Sequence, residues 1–195
     1  MIADGLWRAE DTPLLPFKGK RKFPHVPYDV VLRLSRTLDR LRAFDPHVVG
    51  ALPLGLAVAD SDIRVVCHAA DTGRFAQAVS TYFHDAKGFR LTLWTSADRA
   101  VVARFESYGW PIRIFGSSEP VRDQLTWRHF DVERRLLALD GEGLRATVMA
   151  LRADGLKTEP AFAAALNLPG DPYAAISELY GKSEAELLRL LGRDR

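Results

Sequence analysis

The chain has 195 residues, of which 47% are hydrophobic and 27% are charged, values that exclude a disordered or fibrous chain. Its 27 basic and 25 acidic residues give a formal charge of +2, too small for strong non-specific binding to nucleic acids or membranes. A single cysteine, Cys67, excludes an internal disulfide, and no apolar run is long enough to cross a bilayer. We therefore expect a globular cytoplasmic protein.

The N-terminal part of the chain divides into an expected arm and an expected helix. Four prolines and a cluster of lysines and arginines predict an irregular arm over residues 1–28. The rest, 29–195, is expected to form a single domain. Apolar residues recur at helical spacing over 29–44, where Asp29 would cap the helix and Pro46 would end it.

The middle of the chain predicts a small sheet, and the last third predicts a helical layer. Runs that are rich in β-branched or alternating apolar residues predict strands over 62–67, 89–94, 101–105 and 111–115, with a helix over 72–86 that Asp71 caps. Helical periodicity then predicts 120–139, 143–153, 160–166, 172–180 and 184–192, with caps from Thr158, Asp171 and a Ser183–Glu186 capping box. This order predicts an α+β fold: a small mixed sheet flanked by helices, with a C-terminal helical layer from about residue 120.

Acidic residues lie at the start of the first predicted strand, after a glycine loop at Gly50. Asp60, Asp62 and Arg64 would point to one face, because successive strand side chains alternate between faces. Two carboxylates on one face can hold a pair of divalent ions that clamp the oxygens of a phosphoryl transfer. Magnesium is the ion that suits carboxylate ligands together with substrate phosphates.

Several longer stretches carry a resemblance to a known family. They are 45–56 with Ser61-Asp62, Ile114–Gly116, Glu119–Val121, Gln124, Arg128-His129, 132–137, 155–163 and 170–173. On these stretches the chain, over roughly residues 28–180, resembles the bacterial proteins of domain of unknown function family 4269. That resemblance implies a nucleotidyltransferase-like fold, whose pattern is a glycine loop followed by two acids that flank an apolar residue, with a third acid on a later strand.

The chain departs from this pattern at two of the three metal-ligand positions. Asp62 matches the first acid, whereas Arg64 stands at the second and Arg113 at the third. A guanidinium group cannot ligate a cation, but it can bind a phosphate or carboxylate directly. Three interpretations stay open: an anion site, a cross-strand ladder of salt bridges, or surviving metal catalysis by Asp62 with Asp60 on magnesium.

Five further residues are candidates for contacts to a ligand. His129 fits a general base or a phosphate donor, or else an ordinary hydrogen-bonded histidine within a helix, and Arg128 precedes it. Lys157 lies beside a helix start and fits a phosphate pocket, although capping by Thr158 is the simpler use of this segment. Ser61 and Glu159 lie in the stretches that match the family and complete the set.

The leading hypothesis for function is a nucleotidyltransferase-like protein with a degenerate metal site that binds a nucleotide or another anionic small molecule. It needs no cofactor. The first alternative is an active nucleotidyltransferase that depends on magnesium, and the second is a non-enzymatic protein-interaction module. In each case we expect no membrane partner and no strong binding to nucleic acids.

Overall fold

The computed structural model describes residues 25–93 and 100–193 of the chain. Its helices are α1 (Tyr28–Leu34), α2 (Thr37–Arg40), α3 (Thr72–Phe83), α4 (Leu125–Asp140), α5 (Glu142–Ala153), α6 (Thr158–Ala165), α7 (Pro172–Glu178) and α8 (Glu184–Leu190). Its strands are β1 (His47–Val49), β2 (Ile63–His68), β3 (Lys87–Leu93), β4 (Val101–Ser107) and β5 (Trp110–Ser117). The first 24 residues of the expected arm lie outside the described residues.

The five strands form one mixed sheet in the order β1-β2-β5-β4-β3. Strands β2 and β5 are parallel, whereas the other three pairs are antiparallel. Helix α3 and the β3–β4 hairpin connect the two parallel strands, and α4 to α8 follow the last strand. The predicted α+β fold, with a small mixed sheet and a C-terminal helical layer, is confirmed.

The two faces of the sheet pack against different helices. Ile63, Val65 and the free Cys67 of β2 are fully buried in an apolar cluster with residues of α1 and α3. Val66 points the other way and packs with the apolar side chains of α4 to α8. We call these faces the α3 face and the α4 face.

The prediction of one continuous helix over 29–44 is wrong. It divides into α1, α2 and a 3₁₀ turn over Arg42–Phe44, because Arg36 adopts a left-handed backbone with φ of 53°. The helix begins one residue earlier than expected, so Asp29 lies in its first turn and Pro27 is at the cap position. Leu34, which the apolar stripe placed inward, is 55% exposed.

Apart from Asp29, the predicted helical caps are present with one exception. Asp71, Asp171 and Ser183 each accept a hydrogen bond from a backbone N–H of the first turn, and Glu186 completes the capping box. Thr158 is not a cap, because α6 already begins at that residue and its hydroxyl accepts a hydrogen bond from Arg152. None of the described helices combines the length and the apolar surface needed to span a membrane.

Candidate anion site on the sheet

Asp62 lies between two arginine side chains on the α4 face. Its Oδ1 accepts a hydrogen bond of 2.9 Å from Arg64 Nε, and its Oδ2 lies 3.2 Å from a terminal nitrogen of Arg113. Arg64 and Arg113 are paired in the register of the parallel strands β2 and β5, so their side chains leave the sheet on the same face. The structure therefore brings together the three residues that the sequence placed at the metal-ligand positions.

The three side chains of this cluster are ionised at neutral pH, although burial opposes the charge of each of them. Burial alone would raise the pKa of Asp62, but the guanidinium groups of Arg64 and Arg113 outweigh it, so the pKa lies below its ordinary value. Burial lowers the pKa of Arg113 to about 10, against the opposing effect of Asp62. At neutral pH the cluster is thus one carboxylate held by two cations.

The cluster continues across the sheet as a row of arginines. Arg113 is paired with Arg104 on β4, and Arg104 is paired with Arg90 on β3, so the four arginines lie side by side on four neighbouring strands. The sequence analysis missed Arg104. The short turn at Tyr108-Gly109 fixes the β4–β5 register and could have revealed it, because the pairs count outward from Ser107 and Trp110.

Glu159 approaches the same cluster from the helical layer. Its Oε1 lies 3.5 Å from His129 Nδ1. Burial raises the pKa of Glu159, but the contact with His129 and the charge of Arg64 together lower it by more. The pKa of Glu159 is therefore below its ordinary value. The other ring nitrogen of His129 lies 2.9 Å from Ser177 Oγ and 3.1 Å from the carbonyl oxygen of Tyr173. His129 is therefore a buried, hydrogen-bonded helix residue, and its partner Glu159 carries a charge that acts on Arg64.

Sequence reasoning also missed a buried carboxyl group on α4. Glu133 is 2% exposed, and its Oε1 accepts no hydrogen bond within the described residues. Burial and the nearby charge of Glu159 raise its pKa well above the ordinary value, so the side chain favours its neutral form. The position four residues after His129, on the same helix face, was the available signal.

Arg152 of α5 ties the helical layer to the loop before β2. Its Nε donates to the carbonyl oxygen of Leu56, and its Nη1 donates to the hydroxyl of Thr158. Burial lowers the pKa of its guanidinium group, while the nearby carboxylates, Asp60 first, oppose that effect. Arg152 thus supplies a further cation, itself buried, on the helical side of the candidate site.

Four of the candidate residues lie apart from the Asp62 cluster. Asp60 is exposed and precedes β2, so the expectation that it shares a strand face with Asp62 is wrong. The reason is a turn over 58–61, in which the Ser61 hydroxyl accepts the amide hydrogen of Val58. Arg128 contacts Asp123 and the ring of Tyr180. Lys157 is exposed at the cap position of α6.

The residues present do not fit the magnesium ions that the fold family uses. Asp62 is committed to two guanidinium groups, and a dication beside two such charges would be repelled by several kcal/mol at an effective dielectric of about 20. In residues 25–93 and 100–193, no three histidine, cysteine, aspartate or glutamate side chains form a group that could hold a metal ion. The donor set instead suits an anion.

Comparisons with known proteins agree with this fold. A family model described as "Domain of unknown function (DUF4269)" matches residues 30–179. A crystal structure of the Cid1 poly(U) polymerase with MgGTP bound is 16% identical, with a TM-score of 0.50, over 65% of this chain and 40% of that chain. The structure of the GLD-2/RNP-8 complex is 10% identical, with a TM-score of 0.48, over 71% of this chain and 54% of that chain.

These comparisons bear on the fold and not on the activity. The chain spans about half or less of the length of the two solved structures. At such low identity the likeness to the Cid1 polymerase shows a nucleotidyltransferase-like fold alone. No curated protein sequence matches this chain significantly.

Proposed function

We propose that this chain, which belongs to the family Domain of unknown function (DUF4269), binds a nucleotide or another phosphate-bearing small molecule without a divalent metal ion. The site is the cluster of Asp62, Arg64 and Arg113 on the α4 face. Asp62 orients the two arginines, and the arginines contact the anion. The nucleotidyltransferase-like fold supplies the location, and the arginines replace the metal ions as the source of positive charge.

One observation carries this proposal: a single carboxylate holds two arginines, which the family resemblance aligns with metal-ligand positions. The two guanidinium groups converge on Asp62 from neighbouring parallel strands. A guanidinium group presents five N–H donors in a planar fork that matches a phosphate. Asp62 accepts a hydrogen bond from Arg64 Nε, which leaves the terminal nitrogens of Arg64 for a ligand.

Arg64 is the arginine best placed to reach a ligand. Its side chain is 29% exposed, and Asp62 is the sole hydrogen-bond partner of its guanidinium group among the described residues. Its alkyl chain passes Gly50, where an added Cβ would lie 3.4 Å from Arg64 Cδ and where φ is +85°. The glycine loop of the fold family therefore borders the arginine that would bind the phosphate.

A thermal-shift experiment tests the proposal. The wild-type protein is heated with nucleoside mono-, di- and triphosphates, each in magnesium and in EDTA, and the same panel is run on Arg64→Ala and Arg64→Lys. A ligand at about 100 times its dissociation constant stabilises the folded state by about 2.7 kcal/mol, which gives a clear rise in Tm. We expect a shift that survives EDTA, is lost in Arg64→Ala and is weakened in Arg64→Lys, which keeps the charge but not the fork.

Arg64→Ala is the appropriate variant because Arg113 still neutralises Asp62 after the change. Arg134→Ala is its control, since Arg134 also pairs with one aspartate but lies on the exposed side of α4. A shift that requires magnesium would contradict the proposal in favour of a metal-dependent transferase. No shift with any phosphate would contradict both, and the oligomeric state and partner proteins would then be the next measurements.

A further inference from the structure

A second basic region lies on the opposite side of the sheet from Asp62. A groove of about 780 Å³ lies between the α1–α2 segment and the end of α3, and we call it the α2 groove. It is lined by Arg36, Asp39, Arg40, Arg42, Ala43 and Tyr82. The neighbouring Leu41 and Phe83 pack on the α3 face, whereas Arg64 and Arg113 point to the α4 face. Three guanidinium groups therefore line this groove against one carboxylate.

Arg40 is held in a fixed position within the groove. Its Nη1 donates a hydrogen bond of 2.9 Å to the carbonyl oxygen of Tyr82, near the end of α3. Its guanidinium carbon lies 5.8 Å from the centroid of the Tyr82 ring and 5.5 Å from that of Phe83. This contact joins α2 to α3 and orients one of the three charges before any ligand arrives.

Arg36 has an unusual backbone conformation. Its φ of 53° is uncommon for a residue other than glycine, and such residues concentrate at functional sites. Thr37, which is fully buried, and Ser35 share a hydrogen bond of 2.6 Å on either side of it. The bend separates α1 from α2 and leaves the Arg36 side chain 70% exposed over the groove, with Asp39 3.8 Å away.

Arg42 and Tyr82 complete the surface. Arg42 is exposed and makes no hydrogen bond or ion pair within the described part of the chain. Tyr82 is 42% exposed, so part of its ring is open to solvent beside the arginines. An exposed ring beside several arginines is the combination that proteins use to stack a base and hold its phosphate.

The net charge of the whole chain predicts no strong binding to nucleic acids, but the charge of this groove is locally positive. We propose that the α2 groove binds single-stranded nucleic acid, with the arginines on backbone phosphates and Tyr82 against a base. Arg36 and Arg40 are four residues apart, about 6 Å along a helix axis, so their side chains can contact successive phosphates. The groove is also far larger than a single phosphate group. This site is separate from the anion site around Arg64 and does not depend on it.

Binding of a labelled oligonucleotide tests this proposal. The probe is a fluorescent single strand of about a dozen nucleotides, and its anisotropy is followed from about 50 to about 200 mM salt. Three phosphate contacts predict a slope of log K against log salt of about −2, because each contributes about −0.7 on a single strand. Arg42→Ala should weaken binding about fivefold or more and make the slope shallower by about 0.7.

Arg36→Gly separates the binding role from a folding role. Glycine adopts positive φ without strain, so this variant should be at least as stable as the wild type while it binds more weakly. Arg33→Ala is the matched control, because Arg33 is exposed on the same segment but pairs with Asp29 and does not line the groove. It should bind the probe as the wild type does.

The remaining outcomes are also decisive. No binding at low salt, or equal losses in Arg33→Ala and Arg42→Ala, would overturn the proposal. Competition by AMP as effective as that by the unlabelled strand would assign the groove to mononucleotides, and competition by polyglutamate would assign it to an acidic protein; both would overturn it. Arg64→Ala should leave oligonucleotide binding unchanged, so failure of the first proposal remains distinguishable from failure of this one.

Discussion

The two faces of β2 show how differently one strand can be used. Ile63, Val65 and Cys67 point to the α3 face and are at most 1% exposed in an apolar cluster. Arg64 points to the α4 face and makes an ion pair with Asp62. Burial of apolar side chains stabilises a fold directly, whereas a buried ion pair often does no better than an apolar replacement. The charges of the α4 face therefore need a functional explanation, and the α3 face does not.

The polar character of the α4 face extends from the sheet into the helices. Glu159 and Glu133, whose pKa is raised, lie near Arg64, and Arg152 lies near both. Opposite charges thus alternate from Arg113 through Asp62 and Arg64 to the helical layer. Within such a series, the loss of one member leaves its neighbours buried without compensation.

The largest effect is expected on the α3 face. Phe75 is fully buried, lies edge-on to Phe44 at 4.9 Å, and covers Gly116, where an added Cβ would lie 2.2 Å from its ring. Phe75→Ala should therefore lower the free energy of unfolding by about 4 kcal/mol through lost burial and the cavity left behind. Urea denaturation measures this loss. Phe75→Leu should lose much less, and a loss below about 1 kcal/mol in Phe75→Ala would show that this face is not the main core.

The next effect concerns the charged cluster. Asp62→Ala leaves Arg64 and the buried Arg113 without the carboxylate that holds them, and it should destabilise the fold by about 3 kcal/mol. The combined change of Asp62→Leu, Arg64→Met and Arg113→Met removes all three charges at once. This triple variant should be close to the wild type in urea denaturation, and it should bind no phosphate.

The triple variant decides what the cluster is for. If it is as destabilised as Asp62→Ala, the ion pairs themselves maintain the fold, and the distinction between the two faces disappears. If it is stable but no longer gives a thermal shift with nucleotides, the charges serve binding. Asp62→Asn separates charge from shape, since it preserves the size of the side chain.

The sequence was sufficient to predict the elements whose signal is local. The β2 strand and the caps at Asp71 and Ser183 follow from nearest neighbours in the chain, and the structure confirms them. The break at Arg36 was not predictable, because the apolar spacing is helical on both sides and no glycine or proline marks the bend. Glu133 was missed for a different reason: its burial depends on packing between α4 and residues far away in the chain.

A pH-dependent effect would isolate Glu133. Burial and the charge of Glu159 raise the pKa of Glu133 in the folded state. The contribution of its neutral side chain to stability is therefore complete below the ordinary pKa of a glutamate, and it is lost as the pH rises through the pKa of the folded state. Glu133→Gln keeps the shape but cannot ionise. We therefore expect its stability relative to the wild type to increase between about pH 5 and about pH 8 in urea denaturation.

The groups around Glu133 do not obscure this measurement. Asp62 and Glu159 have lowered pKa values, so they stabilise the fold above their ordinary pKa and lose that contribution as the pH falls. Both are present in the wild type and in Glu133→Gln, so the difference between the two curves reports Glu133. A difference that stays constant with pH would show that Glu133 is already ionised in the folded protein.

The smallest effects should be equal on the two sides of the molecule. Asp71 accepts the amide hydrogen of Arg74 at 2.9 Å and caps α3, and Ser183 accepts that of Glu186 at 3.3 Å and caps α8. Asp71→Ala and Ser183→Ala should each lower the free energy of unfolding by about 1 kcal/mol in urea denaturation, because a cap stabilises only its own helix end. Their double variant should show the sum, since the two caps share no partner. A clearly larger loss in Ser183→Ala would mean that α8 stabilises the polar cluster in addition to its own first turn. The difference between the α3 face and the α4 face would then include the last helix of the chain.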